Sequence, residues 1–416
     1  MAKHDRSETR RGLSQRATLT SVSVKAFKSL HDVTVDLGHV NVLIGANGSG
    51  KSNLLESIGV IGAATSGRID DQALLRRGIR PGVPAIYKSA FAENKIANLI
   101  KIEIESNEEA SYWINITNPI QKPGPWWVFQ HEDVRHGAKE IASRSPRGTK
   151  LLGKKIKLDN RASVGAACRA NMETPSPVRA ILDALDDYAV FAPVTPVLRG
   201  IAPDTAPRNP VGLFGGQLAE AVAMLLQGQG KAQKKELLDE AIALVDWAES
   251  FDVAEPSRAF LSPSVPTMRQ VVRFYDRYMA DKRNELSGYD ASEGALYILF
   301  LLVLALHDHA PQIFAVDNFD QALNPRIARE LTKVFARAIL SRGRQAILTT
   351  HNPLVLDGLP LDDERVRLFT VARNRHGHTQ VEPVEVRDLA RLKAEHGQDA
   401  VSRLWLSGRL GGMPNV

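Results

Sequence analysis

From Leu19 the pattern TSVSVKAFKSLHDVTVDLGHVNVLIG alternates apolar and polar positions twice and then ends in a mostly apolar run, Val40 to Ile44. Alternation with period two marks half-buried strands, and an apolar run of this length marks a strand covered on both faces. Two antiparallel strands feeding a buried central strand are therefore predicted. A glycine-rich turn and an amphipathic helix, SNLLESIGVIGAA, follow. Toward the far end the pattern is equally clear. Glu293 to His307 is predicted as a strongly apolar helix, Gln312 to Val316 as a buried strand and Pro325 to Leu340 as an amphipathic helix. Gln345 to Thr349 and Val366 to Ala372 are two further buried strands. Strands alternating with helices imply an α/β fold around a mostly parallel sheet.

Residues 66–285 are less regular. ANLIKIEIES and ASYWINIT read as strands, WWVFQHEDV and KKIKLDNR as extensions of the same sheet, and 215–250 as helical. Prolines scattered through 175–210 mark that stretch as mostly connection. The expected organisation is a mobile basic tail over 1–18, one core domain in two halves (19–65 and 286–416), and an inserted α+β region over 66–285. No heptad pattern and no internal repeat is visible in the sequence.

Composition adds bounds. The chain has 416 residues, 44% hydrophobic and 24% charged, enough for a sizeable core. Lys+Arg 53 against Asp+Glu 47 gives a net charge of +6, an excess that permits contact with nucleic acid without establishing it. A single cysteine, Cys168, excludes an intramolecular disulfide framework and a Cys-rich zinc site. It fits a reducing compartment, and a cytoplasmic location is expected. Residues 1–20 are polar and lack the apolar segment of a secretory signal. The longest apolar run, Ala295 to Leu306, is shorter than the roughly 18 to 20 residues a membrane span needs.

Candidate chemistry starts at Gly45-Ala46-Asn47-Gly48-Ser49-Gly50-Lys51-Ser52, a full G-x-x-x-x-G-K-[ST] between a predicted strand and helix. Glycines let backbone N–H groups close around phosphates without Cβ clashes, and the helix N-terminus adds its dipole at the same point. Lys51 is placed to reach the β- and γ-phosphates, and Ser52 to ligate Mg²⁺. A second magnesium-side acid is needed at the end of a neighbouring buried strand, and QIFAVDNFDQALNP supplies Asp317. A carboxylate there is unfavourable unless it meets a cation. The apolar strand QAILTT ends in His351, which at a strand terminus beside the phosphate loop can touch the γ-phosphate.

Four segments in this order, GANGSGKSN, DASEGAL, VDNFDQALNP and TTHNP, resemble the Walker A, signature, Walker B/D-loop and H-loop of ABC-type ATPases. More narrowly they resemble the SMC/RecF/OLD-like branch. SVSVKAFKSLHDVTVDLGHVNVLIGANGSGKSNLLESI is similar to that branch over almost its whole length, and LWLSGRLGG resembles the tail of its compact members. The likeness covers roughly 20–65 and 285–412. It implies a P-loop NTPase head of the ABC type, with a mixed sheet and helices, carrying the inserted middle region. It further implies ATP–Mg²⁺ sandwiched between two head-to-tail protomers. Gly45, Asn47, Gly48, Ser49, Gly50, Lys51, Ser52 and Asn53 would hold the nucleotide of one protomer, and Ser292 and Gly294 of the other would cap it. Leu286-Ser287-Gly288 looks closer to the family's signature letters, but it opens no predicted helix and is treated as a decoy.

One departure bears on chemistry. Family members usually carry Asp-Glu where this chain has Asp317-Asn318. An amide can hold a water but cannot take its proton. Three readings follow: Asp320 acts through a water, His351 takes part of the role, or the protein turns over slowly and works mainly as an ATP-locked dimer. Asn324 sits where the family often has His or Asp in the D-loop. Biologically, the resemblance implies a DNA-linked process such as repair or anti-phage defence, with a companion effector such as a nuclease. A non-enzymatic, ATP-gated protein scaffold that touches no nucleic acid is the alternative, and a membrane-transport subunit fits less well. Too few residues follow His351 for a Toprim domain, and the middle lacks the heptads of an SMC coiled coil.

Other features are ambiguous. Arg135, Lys139, Arg144, Arg147, Lys150, Lys154, Lys155, Lys157, Arg161 and Arg169, downstream of Trp126 and Trp127, suit either a nucleic-acid surface or a solvated insertion. Arg76-Arg77-Gly78-Ile79-Arg80 shares that ambiguity. The His307/His309 and His376/His378 pairs lack a third metal ligand, and Asp362-Asp363-Glu364 reads as a surface turn.

Overall fold

The computed structural model describes residues 16–92, 96–117, 119, 123–227, 231–256, 269–396 and 400–412. Most of the expected basic tail lies outside the described residues. Ala17 and Thr18 belong to the packed body instead: both are buried, and Thr18 N–H donates to Asn107 Oδ1 at 3.0 Å.

The expected opening strands form as β1 (Leu19–Phe27), β2 (Leu30–Asp36) and β3 (Val40–Ile44), followed by α1 (Lys51–Thr65). β1 pairs antiparallel with β2 on one side and with β4 (Leu99–Ser106) on the other. The sheet continues through β5 (Ala110–Thr117), β6 (Val128–His136), β7 (Lys139–Ser145), β8 (Gly148–Leu151) and β9 (Lys154–Ile156). Strands of the middle stretch thus extend the sheet begun by the first two.

A second, six-stranded sheet carries the chemistry. Its order is β10 (Val190–Phe191), β14 (Ile313–Val316), β15 (Gln345–Thr350), β3, β16 (Val366–Arg373) and β17 (Thr379–Pro383). All neighbours are parallel except β16 and β17. Strands covered on both faces are mostly apolar, which is why β3 and β14 are buried at every position; the one polar residue, Asn41, has its amide satisfied by the carbonyls of Gly38 and Ala346.

Residues 175–210 correct the expectation of a mere connection. Ser176–Asp186 is a helix (α3, after α2, Val164–Ala170) that buries Val178, Ile181, Leu182 and Leu185. Its proline, Pro177, lies in the first turn, where a missing N–H leaves no hydrogen bond unmade. Farther on, α4 (Leu218–Gln227) and α5 (Lys231–Ile242) are the expected helices, and β11 (Ala248–Ala254), β12 (Val271–Asp276) and β13 (Glu285–Ser287) make a small antiparallel sheet.

α6 (Glu293–Leu306) is the centre of the larger core. Every residue from Ala295 to Leu306 is buried, because α4, α5 and α7 (Pro325–Arg342) all pack against it. Burial on all sides explains its lack of a polar face. Among the described residues no helix is long and apolar enough to cross a membrane.

Candidate functional site

Four parallel strands end on one edge of the core sheet, and each delivers a polar group there. β14 ends at Val316 and presents Asp317; β15 ends at Thr350 and presents His351; β3 leads into Gly45–Ser52; β16 ends at Arg373. Ligand sites of open α/β sheets lie outside such carboxyl ends. A cavity of about 480 Å³ opens there, lined by Asn47 through Asn53, Asp317, Asn318 and His351, together with Arg80 and Arg373.

The glycine loop has the shape its residues suggest. Gly50, immediately before α1, has φ of 110°, in the left-handed region, and a Cβ there would stand 2.0 Å from Thr379 Oγ1. A Cβ on Gly45 would stand 2.0 Å from the Val371 carbonyl oxygen. Gly45→Ala must therefore push β3 and β16 apart. It is expected to destabilise the protein by about 1–3 kcal/mol, as overpacking does. Urea denaturation reads this directly, and an unchanged midpoint would show that the loop can shift without loss. Thr379 Oγ1 lies 2.7 Å from both Ser29 Oγ and the Ser49 carbonyl, tying the loop to β17 and to the β1–β2 turn.

Lys51 is 5% exposed, and its ammonium donates to the carbonyls of Gly45 (2.7 Å) and Ala46 (3.0 Å). His351 Nδ1 lies 3.4 Å from the same nitrogen. Burial pulls the Lys51 pKa down to about 8, against the opposing pull of Asp317 and Asp320. His351 is also held below the usual histidine range, first by burial and then by Lys51. Its imidazole is therefore neutral near pH 7, able to make hydrogen bonds without carrying charge.

Ser52 Oγ donates to Asp317, 3.0 Å from Oδ2 and 3.2 Å from Oδ1. A hydroxyl and a carboxylate facing each other are hard oxygen donors of the kind Mg²⁺ takes, with water and phosphate completing its shell. Ser49 Oγ is buried without a hydrogen-bond partner, so this cradle contains an unsatisfied polar atom. The residues present fit a magnesium–phosphate group.

The turn after β14 is pinned from two sides. Asn318 has φ of 56°. Its N–H donates to Thr349 Oγ1 at 2.8 Å, its carbonyl accepts from Tyr297 Oη at 2.9 Å, and Thr349 Oγ1 also meets Asp317. Asp320 does not line the cavity; its carboxylate accepts from Thr350 Oγ1 at 2.6 Å. Ser292 and Gly294 stand at the start of α6, outside the cavity of their own chain. Ser292 is exposed and caps α6 through Ala295 N–H at 3.4 Å. Leu286-Ser287-Gly288 opens no helix: two of the three lie in β13.

Two lining residues were not singled out for this site from the sequence. Arg80 belongs to a basic cluster that the fold divides. Arg77 is fully buried against Asp186, whereas Arg80 is exposed, donates to Glu56 at 2.8 Å and lines the cavity. Arg373 ends β16, where its guanidinium donates to the Gly48 carbonyl at 2.7 Å and to Gly377 at 3.1 Å. A lone arginine at a strand end has no local signature.

The long basic stretch also divides. Arg144 is buried on Glu132 at 2.8 Å, Arg135 pairs with Asp133, and Arg169 with Asp186. Arg161 lies over the exposed Trp126 ring at 4.2 Å, while Trp127 is buried. Lys139, Arg147, Lys150, Lys154, Lys155 and Lys157 are exposed. Among the described residues no group of three or more His, Cys, Asp or Glu side chains could hold a metal.

Comparison with known proteins agrees with this geometry. A family model described as AAA ATPase domain matches residues 18–156, and one described as AAA domain, putative AbiEii toxin, Type IV TA system matches 222–357. The DNA replication and repair protein RecF of Paenarthrobacter aurescens (strain TC1) is 33% identical over 105 residues, 25% of this chain and 26% of that protein. RecF of Pseudomonas fluorescens (strain Pf0-1) is 48% identical over 52 residues, 12% of this chain and 14% of the relative. The chain thus covers about a quarter or less of these relatives' own length. A solved structure, the SmcHead bound to the C-winged helix domain of ScpA, superposes with a TM-score of 0.53 at 12% identity, covering 90% of this chain and 99% of the other. That likeness is one of fold.

Proposed function

Because the chain is an ABC-type ATPase of the SMC/RecF-like branch, we propose that it binds ATP–Mg²⁺, closes around it as a head-to-tail homodimer, and hydrolyses it slowly in a DNA-linked process. The observation that carries this reading is the meeting of Lys51, Ser52, Asp317 and His351 around one cavity from three adjacent strands. Amides of Gly48 to Ser52 and the Lys51 ammonium bind the phosphates. Ser52 and Asp317 would hold magnesium, which supplies charge neutralisation at the phosphate oxygens when bound. Asn318 orients a water without taking its proton, and neutral His351 hydrogen-bonds the terminal phosphate.

Ser292 and Gly294, placed at a helix start away from their own cavity, suit the capping of a partner's nucleotide. ATP that binds the closed pair better than the open one makes the dimer a switch, reset by hydrolysis. DNA contact rests on the exposed lysines of β7 to β9. Lys150 faces Lys155 across the ladder, a like-charge pairing that is unfavourable alone and is relieved by a polyanion. Within this reading, repair or anti-phage defence with a companion effector such as a nuclease is the biological setting.

Mass measurement with and without ATP–Mg²⁺ tests the core of the proposal. The expected result is a doubling of mass on adding ATP–Mg²⁺ to the parent protein and none for Lys51→Ala. Calorimetry that detects no nucleotide uptake by the parent would overturn it.

A further inference from the structure

Tyr297 is the one residue of α6 whose side chain reaches the turn that follows β14 by a hydrogen bond among the described residues. It lies one helical turn beyond Ser292 and Gly294, is 1% exposed, and donates its phenol proton to the Asn318 carbonyl at 2.9 Å. Besides the Ser52 hydroxyl on Asp317 and the turn's own Gln321 N–H on the Asn318 carbonyl, the turn is held by backbone ties to the core sheet. Asn318 N–H goes to Thr349 Oγ1, Phe319 N–H to the Thr349 carbonyl, and Asp317 N–H to the Phe191 carbonyl. Asn318 lines the cavity, and its backbone is left-handed, so small rotations of the turn move its amide. The start of α6 is itself anchored from the side: Arg199 donates to the Ala291 carbonyl at 3.0 Å, and Thr195 to Glu293.

We infer that Tyr297 is a positioning residue that couples the start of α6 to Asn318, so that nucleotide held by one protomer sets the water-holding geometry at the other site. The inference rests on the head-to-tail reading, in which the start of each α6 meets the partner's nucleotide. A force applied there reaches Asn318 of the same chain through one turn of α6, buried from Ala295 onward, and one hydroxyl. Coupling between sites needs such a contiguous link acting on an element with two arrangements. The phenol is pushed above its usual range by burial and stays protonated at neutral pH, as a donor must.

The test is steady-state ATP hydrolysis by Tyr297→Phe, which removes only the hydroxyl, alongside Thr349→Val, which loosens the same turn from the sheet side. Hydrolysis by the parent is expected to rise cooperatively with ATP. Tyr297→Phe should lose that cooperativity and about tenfold in turnover, with half-saturation within about twofold. Thr349→Val should lose turnover but keep cooperativity. A parent that stays monomeric with ATP–Mg²⁺ would remove the sandwich reading and the coupling together. A parent that dimerises but hydrolyses without cooperativity removes the coupling alone. The same follows if Tyr297→Phe retains parental turnover and cooperativity, or if Thr349→Val loses cooperativity equally. A merely structural role would lower the melting temperature of Tyr297→Phe and leave the cooperativity in place.

Discussion

Lys51→Ala is expected to bind ATP at least about 100-fold more weakly than the parent and to hydrolyse none above background. Charge-assisted hydrogen bonds contribute about 1.5–3 kcal/mol each, and an ammonium shared between two phosphates supplies two of them. The loss is thus about 3 kcal/mol or more, roughly two decades of affinity. The same residue gives binding a pH dependence. In the empty site Lys51 titrates at about 8, because burial disfavours its charge. ATP takes the protonated form, so affinity should hold level up to about pH 7.5 and then fall about tenfold per pH unit. His351, already neutral there, adds nothing to the slope. Lys51→Arg, whose charge does not titrate in this range, should bind with a flat profile. Stability of the empty protein runs the other way. Between pH about 8 and the ordinary lysine value of 10.5, the unfolded chain holds the extra proton, so folding becomes more favourable as pH rises through that window. Calorimetry at pH 7, 8 and 9 measures the binding effect. Affinity for Lys51→Ala within threefold of the parent, or a parental profile as flat as that of Lys51→Arg, would remove Lys51 from the phosphates.

What could be read from the sequence follows from how each element is buried. β3, β14 and β15 lie inside a parallel sheet covered on both faces, so each is buried at every position and centres on an apolar stretch. Asp317 and His351 sit just past the ends of β14 and β15, and Lys51 closes the glycine loop after β3, so all three could be named before any coordinates. Arg80 and Arg373 reach the same cavity from a loop and a strand end, with neighbours that carry no periodic signal. α3 was hidden because Pro177 reads as a breaker, although a first-turn proline suits a helix start. The β11–β13 sheet has one face against the core and many half-exposed positions, so its alternation is weak. The basic stretch after Trp127 suits either a nucleic-acid surface or a solvated insertion on charge alone, and the fold divides it: Arg144 and Arg135 pair with buried or half-buried acids within the sheet. Sequence shows where charge is abundant; only the fold shows which charges are already paired.

Asn318→Glu should raise turnover by about 100-fold over a slow parent, because a carboxylate restores the proton acceptor an amide lacks, and a general base contributes about 10²–10⁴. The backbone sets the limit of that gain. At φ of 56° Asn318 occupies the left-handed region, which asparagine enters more readily than longer side chains. Glutamate there should lower stability by about 1 kcal/mol, an amount the Tyr297 and Thr349 hydrogen bonds can withstand because they grip the backbone and not the side chain. On the proposed reading, residue 318 answers two demands, a left-handed turn and a water to be held, and asparagine would meet both at the expense of speed. Asn318→Asp separates them. It keeps the short side chain and adds a carboxylate one methylene farther from the water, so its gain should be smaller and its stability parental. Single-turnover hydrolysis with urea denaturation on the same samples reads both quantities. A folded, ATP-binding Asn318→Glu no faster than the parent would mean that proton transfer does not limit the reaction. A brisk parent rate that survives both Asp320→Ala and His351→Ala would mean that the amide is not a handicap, and the chain would then be an ordinary fast ATPase.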